Sequence, residues 1–359
     1  MEADEEGFLY PLIDIALCTQ CGLCEQICPS LHPKPPREPL AVYAAINRDK
    51  SIRMKSSSGG IFTLLAEHTL LDGGIVFGAG WNNDLQVVHC SAVNETELAD
   101  LRGSKYVQSE VRNCYREVRG WLEMERKVLF SGTPCQIAGL RSFLQKGYTN
   151  LLCVEIFCFG VPSPLVFEYY KSDLEKKYDA KINRIFFRDK EKGWKQSSIV
   201  VFFNDGSVFR ESLYDNLFVK SFLRALCNRP SCHACPFRSL RSGADVTIGD
   251  FWGINLLSPD IDDDCGVSAV LLNSEQGQSW RTWLANGAKI HLVSYTDVVK
   301  YNPMLVKSVE AHPRRDLFLR KIRGMAPFRK TVVRMLRPPL YYLARSVLCR
   351  ILRFLALRR

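Results

Sequence analysis

The pattern of hydrophobic and polar positions divides the middle of the chain into short strands and helices. Residues 75–77 and 127–130 are short apolar runs followed by turn residues, as is typical of buried strands. Residues 61–71 and 137–144 follow such turns with apolar side chains at helical spacing. Strands that alternate with helices in this way predict a mixed body of the α/β (α+β) class.

Two further segments of this body follow a strand pattern. Residues 199–203 and 208–210 flank a turn that contains Asp205-Gly206. Because an Asp-Gly pair supplies the positive φ of a tight turn, this stretch predicts a β-hairpin. Residues 245–248 predict another short strand, which leads into Gly249-Asp250-Phe251-Trp252-Gly253.

The composition suits a large folded protein. The chain has 359 residues, 47% of them apolar, which is enough for an extensive core. Residues 1–6 are acidic and no apolar run is long enough to cross a bilayer, so neither a signal peptide nor a membrane span is expected. The fourteen cysteines are therefore expected in the cytoplasm, where grouped cysteines indicate metal or redox chemistry.

Four cysteines near the start of the chain have the spacing of a bacterial ferredoxin run. A tight loop with two-residue gaps brings three thiolates together, Gly22 lets the backbone approach inorganic sulfide, and Pro29 turns the chain away. Disulfides or a zinc site do not account for this spacing. The run predicts a 4Fe–4S cluster on Cys18, Cys21, Cys24 and Cys28.

The fourth cysteine of this run leaves a question open. In ferredoxins with two clusters, the fourth cysteine of each run binds the other cluster. Residues 1–14 resemble the connector between two such runs, but no preceding run is present in this sequence. An upstream segment, a partner or a rearranged Cys28 would complete the cluster.

A second group of cysteines is spread over three loops of the body. Cys135 opens a helix after a strand, where the helix dipole favours a thiolate, and Cys158 follows another strand. Cys232 and Cys235 form a chelating pair. These four can hold a second cluster; the alternatives are a catalytic thiol at Cys135 or a zinc knuckle built from Cys227, Cys232, His233 and Cys235.

Two glycine-containing loops are candidates for binding phosphate or a ring. Small residues directly before the helix at 61–71 can cradle a phosphate, although serine here can also be a plain N-cap. The second loop adds a cation and an aromatic side chain, or is an ordinary surface loop. No G-x-G-x-x-G follows a strand, so a Rossmann nicotinamide site is not indicated. The two loops are Ser57, Ser58, Gly59 and Gly60, and Gly103, Ser104, Lys105 and Tyr106.

Six motifs in this order resemble the coenzyme F-420 hydrogenase/dehydrogenase beta-subunit family, to which hydroxymethyl-chlorophyll a reductase is related. The resemblance covers about residues 8–300. It rests on the ferredoxin run, the two glycine loops, Ser131-Gly132-Thr133-Pro134-Cys135-Gln136, Cys158 with Gly160-Val161-Pro162-Ser163, Arg229-Pro230-Ser231-Cys232 with Cys235, and the segment from Asp245 to Trp252.

The resemblance implies an FAD-binding body that carries a 4Fe–4S cluster beside the flavin. By position, Cys135, Cys158, Cys232 and Cys235 would be the ligands of that cluster. The two glycine loops, with Thr133 and Gln136, would line the flavin. Lys105 would stabilise the reduced flavin. Family members often have histidine where this chain has Phe159, which weakens the case for a deazaflavin substrate.

The function expected on this basis is electron exchange between one or two 4Fe–4S clusters and FAD, to or from a hydride acceptor. That acceptor is a deazaflavin or an unknown compound, and a link to polysaccharide synthesis is a further expectation. No catalytic residue is assigned. The expected partners are a redox protein or small electron donor and the small-molecule acceptor. The alternatives are a non-catalytic electron-transfer subunit of a larger complex and a zinc-containing scaffold.

The net charge of +10 comes from the C-terminal end. From Arg314 onward there are 14 Lys and Arg residues and one acid, whereas the rest has 34 basic and 37 acidic residues. After Pro338-Pro339, an apolar helix face is backed by arginines, which favours an anionic membrane surface at the inner face of the membrane. Docking on the body or on a partner is the alternative, and nucleic acid is not expected.

These observations predict four parts. Residues 1–32 are a partial ferredoxin-type segment, residues 33–40 a proline-rich linker, residues 41–312 the flavin and cluster-binding body, and residues 313–359 a basic amphipathic helical tail.

Overall fold

A computed structural model describes residues 1–337 and confirms the α/β class. Its strands are β1 Glu2–Ala3, β2 Leu9–Tyr10, β3 Ala41–Asn47, β4 Ile75–Trp81, β5 Val87–Ala92, β6 Val128–Gly132, β7 Leu151–Ile156, β8 Ile182–Asp189, β9 Ser198–Phe203, β10 Val208–Ser212, β11 Val246–Asp250, β12 Ser268–Leu272 and β13 Ala288–Leu292.

The α-helices lie between these strands and after the last one. They are α1 Leu23–Gln26, α2 Lys50–Lys55, α3 Ile61–Leu71, α4 Glu95–Leu101, α5 Cys114–Glu123, α6 Pro134–Leu144, α7 Pro164–Tyr178, α8 Leu217–Leu223, α9 Ile254–Leu257, α10 Glu275–Ser279, α11 Arg281–Gly287, α12 Tyr295–Tyr301, α13 Arg315–Arg323 and α14 Phe328–Leu336.

The main sheet has eight strands in the order β13-β3-β12-β11-β7-β6-β4-β5. The four central strands, β11, β7, β6 and β4, are parallel, and antiparallel strands flank them on both sides. Helices cover both faces because the central strands are apolar on both sides. The carboxyl ends of the parallel strands therefore meet at one edge of the sheet, where ligands bind in open α/β sheets.

A second, antiparallel sheet joins β10, β9 and β8. Phe202 pairs with Val208 across a turn that places Gly206 at a φ of 86°, so the predicted hairpin is confirmed. The predicted helix at 61–71 and the strands at 75–77, 127–130 and 245–248 are also present, although β4 continues to Trp81.

The N-terminal residues are fastened to the body. Phe8 is fully buried, and Glu6 forms an ion pair with Arg315. In the proline-rich stretch, Arg37 donates hydrogen bonds to the carbonyl oxygens of Leu240 at 2.8 Å and Asn273 at 3.3 Å. Residues 33–40 thus lie against the body, whereas the sequence indicated a spacer.

The described part of the basic C-terminal segment is packed into the body. Phe318 and Ile322 of α13 and Val332 of α14 are fully buried in the cluster that α7, α8 and the second sheet form. These two helices therefore contribute to the core, whereas the sequence placed them in a separate tail. The apolar face predicted after Pro338-Pro339 lies outside the described residues.

No helix within residues 1–337 is both long enough and apolar enough to span a bilayer.

Candidate functional site

The predicted cysteine and glycine motifs gather at the carboxyl edge of the main sheet. Thr133 directly follows β6, Phe157 follows β7, and Asp250 ends β11. The Ser57–Gly60 loop reaches the same edge, because the N–H of Gly59 donates to the Ser268 hydroxyl at the start of β12 at 2.9 Å. Sequence motifs that are up to about 200 residues apart thus meet at one place.

Cys135 lies in the first turn of α6. Thr133 is the N-cap, Pro134 follows it, and Gln136 completes a capping box. The Thr133 hydroxyl lies 3.1 Å from the Cys135 sulfur. The exposed amino end of a helix and a neighbouring hydroxyl both stabilise a thiolate at this position.

Backbone contacts hold the Cys158 loop against the loop that carries Cys232. The N–H of Arg229 donates to the carbonyl of Val161 at 2.9 Å, and Pro162 pairs with Asn228 as an isolated β-bridge. The Cys158 carbonyl accepts a hydrogen bond from Arg238. The loops are therefore fixed relative to one another before any ligand is added.

The four body thiols are electrostatic neighbours. Burial raises the pKa of the Cys158 thiol well above its usual range, and Cys135, Cys232 and Cys235 raise it further, against the opposing effect of Arg238. Burial raises the pKa of Cys232 to about 11, with Cys135 and Cys235 again adding to it. Metal coordination is the chemistry that makes several buried, neighbouring thiols lose their protons together.

Among residues 1–337, no three or more Cys, His, Asp or Glu side chains converge closely enough for one metal ion. With bonds of about 2.3 Å, zinc needs thiolates within about 4 Å of one another. The zinc knuckle is also disfavoured because Cys227 is fully buried beside the Ser221 hydroxyl, at 3.4 Å. A four-iron cube is larger than one ion, so its ligands stand further apart.

Gly160 keeps space open beside Cys232. A Cβ built on Gly160 would lie 3.3 Å from the Cys232 Cβ and 3.6 Å from its sulfur, on a backbone whose φ of 137° already favours glycine. This open space among four thiols of three loops fits a cluster.

The N-terminal cysteines lie on the surface. Cys18, Cys21 and Cys24 are exposed, and Cys28 is half-buried after α1. The backbone N–H of Leu23 and the Thr19 side chain both hydrogen-bond to Cys21 and lower its thiol pKa. Gly22 precedes α1 in the left-handed conformation, with a φ of 70°, as a tight ligand loop requires.

The two glycine loops contact each other. Ser104 donates from its N–H and its hydroxyl to the Ser57 hydroxyl, at 2.7 and 2.8 Å. Helix α3 has Gly60 as its N-cap, with a φ of 81° and no side-chain cap, so the serine N-cap alternative is wrong. The amino end of α3 is left for an anion.

Lys105 does not lie where the sequence placed it. Its ammonium donates to the carbonyls of Asp100 at 2.9 Å and Arg102 at 3.0 Å, at the end of α4. Cations are favoured there because carbonyl groups are unpaired at helix ends. The neighbouring Tyr106 instead packs on Phe187 and Phe222, with ring centroids 5.2 and 5.4 Å apart.

Two buried cations that the sequence analysis missed brace the Ser57–Gly60 loop. Arg188 donates to the Ser57 carbonyl at 3.3 Å and pairs with Asp250 at 2.7 Å. Lys190 donates to the Ser58 carbonyl at 2.6 Å. The one available signal was the presence of two cations at the end of the apolar strand β8.

A buried histidine links the motifs from beneath. His89 on β5 is 4% exposed, and its Nε2 lies 3.1 Å from the Ser131 carbonyl, which requires a proton on Nε2. Its Nδ1 therefore accepts a hydrogen bond from the Ser109 hydroxyl. The neutral ring ties the end of the second glycine loop to the loop before Cys135.

His89 predicts a specific acid sensitivity. Burial lowers its pKa from 6.5 to about 4, so between these values the unfolded chain binds a proton that the folded protein does not. The free energy of unfolding should therefore fall with pH, by about 2 kcal/mol from this residue at pH 5. Urea unfolding at pH 7 and pH 5 measures it. His89→Gln, which cannot titrate, should lose less, and equal losses would contradict this assignment.

Residues 125–298 match the family model that describes the C terminus of the beta subunit of coenzyme F420 hydrogenase/dehydrogenase. Over this segment the chain belongs to the coenzyme F420 hydrogenase/dehydrogenase beta-subunit family, which confirms the resemblance of its motifs. The search of the curated proteins found no match.

Among solved structures, a similar chain occurs in the xenon-derivatized F420-reducing [NiFe] hydrogenase complex from Methanosarcina barkeri. The two chains are 22% identical, and the match covers 82% of this chain and 91% of that one, with a TM-score of 0.45.

Proposed function

We propose that this protein is an iron–sulfur flavoprotein oxidoreductase that passes electrons between 4Fe–4S clusters and FAD, to or from a hydride-accepting substrate. The observation that carries the proposal is the grouping of four body thiols beside the two glycine loops at the carboxyl edge of one sheet. Membership of the F420 hydrogenase/dehydrogenase beta-subunit family supports electron transfer as the activity.

Cys135, Cys158, Cys232 and Cys235 would hold the body's cluster. They come from three loops that hydrogen bonds already join, so little rearrangement is needed on binding. Arg238 at the Cys158 carbonyl offsets part of the negative charge of four thiolates.

The flavin would bind at the glycine loops. The amino end of α3 offers unpaired N–H groups to a phosphate, and Arg188 and Lys190 keep the Ser57–Gly60 loop in place. FAD supplies the step between one-electron and two-electron chemistry that clusters alone lack.

A short row of aromatic side chains leads from one site to the other. Phe159, next to Cys158, meets Phe222 edge-on with centroids 5.5 Å apart, and Phe222 contacts Tyr106 of the second glycine loop. These rings fill the interval between thiols and loops with packed protein, which excludes water from the path.

The N-terminal segment would deliver electrons through Arg229. This side chain donates to the Leu9 carbonyl at 2.9 Å and stacks on the Tyr10 ring at 4.3 Å. Arg229 also belongs to the loop of Cys232, so it holds residues 1–32 beside the body cysteines. We propose that residues 1–32 act as the ferredoxin-type input segment and residues 41–312 as the catalytic body.

The proposal predicts the colour and content of protein purified without oxygen. It should be brown, bleach on addition of dithionite, contain iron and sulfide, and release FAD on denaturation. The visible spectrum with iron, sulfide and flavin assays measures all four. Iron without flavin would identify an electron-transfer subunit instead, and colourless protein with stoichiometric zinc would refute the proposal.

A further inference from the structure

Asn228 is a buried asparagine whose side chain has no partner. It is fully buried, and neither its amide nitrogen nor its amide oxygen finds a hydrogen bond among the residues that the structure describes. Unpaired buried amides are rare because they lose the hydrogen bonds that water would provide. Such a group is expected to face something that the protein chain itself does not supply.

The backbone fixes where this amide lies. Asn228 pairs with Pro162, and its carbonyl accepts a hydrogen bond from Arg315 Nε at 2.9 Å. A Cβ built on Gly160 would stand 2.9 Å from the Asn228 Nδ2 and 3.6 Å from the Cys232 sulfur. The amide nitrogen and the sulfur therefore border the same small space, which Gly160 leaves open.

We propose that Asn228 donates an N–H hydrogen bond to a sulfur atom of the cluster bound in the body, and thereby raises its reduction potential. The inference rests on the proposed function. Reduction adds a negative charge to the cluster, and N–H donors to its sulfurs favour that more negative state. Asn228 is thus a positioning residue for electron flow that holds no iron itself.

The test is a redox titration of the full chain, purified without oxygen and monitored by electron paramagnetic resonance. Asn228→Leu removes the donor at similar volume, and Asn228→Asp keeps the shape but offers no N–H when ionised. Both should lower the body cluster's potential, with a reduction equilibrium constant about tenfold smaller, or about 59 mV for one electron. Their iron content should equal that of the unchanged protein.

Asn273→Leu is the matched control. Asn273 is another buried asparagine with an unpaired amide oxygen, but it follows β12 at the opposite edge of the sheet. Its replacement should leave the potential unchanged.

The outcomes separate this inference from the function beneath it. Unchanged potentials in both Asn228 variants at full iron content would overturn the role of Asn228 and leave the cluster standing. Loss of the body's iron in both variants, with the fold retained by circular dichroism, would show a structural role and also overturn it. If Cys232→Ala loses no iron, the proposed function itself is wrong.

Discussion

Replacing Cys232 with alanine is expected to remove about half of the protein's iron and sulfide, from about eight iron atoms to about four. The loss of one thiolate opens a coordination position, and the cube then hydrolyses. Cys232 shares its electrostatic surroundings with Cys135 and Cys235, so the remaining three thiols lose their common ligand. Iron and sulfide assays after anaerobic purification measure the effect.

Two further variants complete this experiment. Cys135→Ala should reproduce the loss, because its thiol comes from a different loop of the same group. Cys90→Ala is the matched control, since Cys90 is a half-buried thiol on the edge strand β5. If Cys232→Ala and Cys135→Ala both keep full iron and sulfide, the second cysteine group is not a cluster site.

Elements that depend on local chemistry could be predicted from the sequence. The helix at 61–71 has the predicted bounds because glycines precede it and an apolar pattern continues through it. The hairpin follows from Asp205-Gly206, whose turn conformation is set within a few residues. The family was identifiable because its motifs are short and keep their order.

Contacts between distant residues could not be predicted in the same way. Arg188 and Asp250 are 62 positions apart, and no spacing rule links them. The direction of Lys105 depended on the end of α4, which offers carbonyls closer than any ring. For α13 the apolar stripe was visible, but an amphipathic helix does not reveal whether lipid, a partner or its own body covers that stripe.

The largest effect on flavin content is expected from Gly59→Ala. A Cβ at this position would lie 2.5 Å from the Ala45 carbonyl oxygen and 2.7 Å from the Ser268 nitrogen. Both are backbone atoms of neighbouring strands in the main sheet, so the loop must move instead of the neighbours. Its movement would break the 2.9 Å hydrogen bond from Gly59 to the Ser268 hydroxyl and shift the amino end of α3.

Protein carrying Gly59→Ala should therefore retain its iron and sulfide but release little or no FAD, measured as flavin per iron after anaerobic purification. Gly120→Ala is the control, because a Cβ there meets nothing within 4 Å inside α5 and alanine favours helix over glycine. The cysteine loops are anchored through Arg229, Val161 and Arg238, which the Gly59 loop does not contact through hydrogen bonds. An iron content that falls together with flavin would mean that the two sites fold as one unit. An unchanged flavin content would place the flavin away from the Ser57–Gly60 loop, since no bound ring or phosphate could keep its position beside a displaced α3.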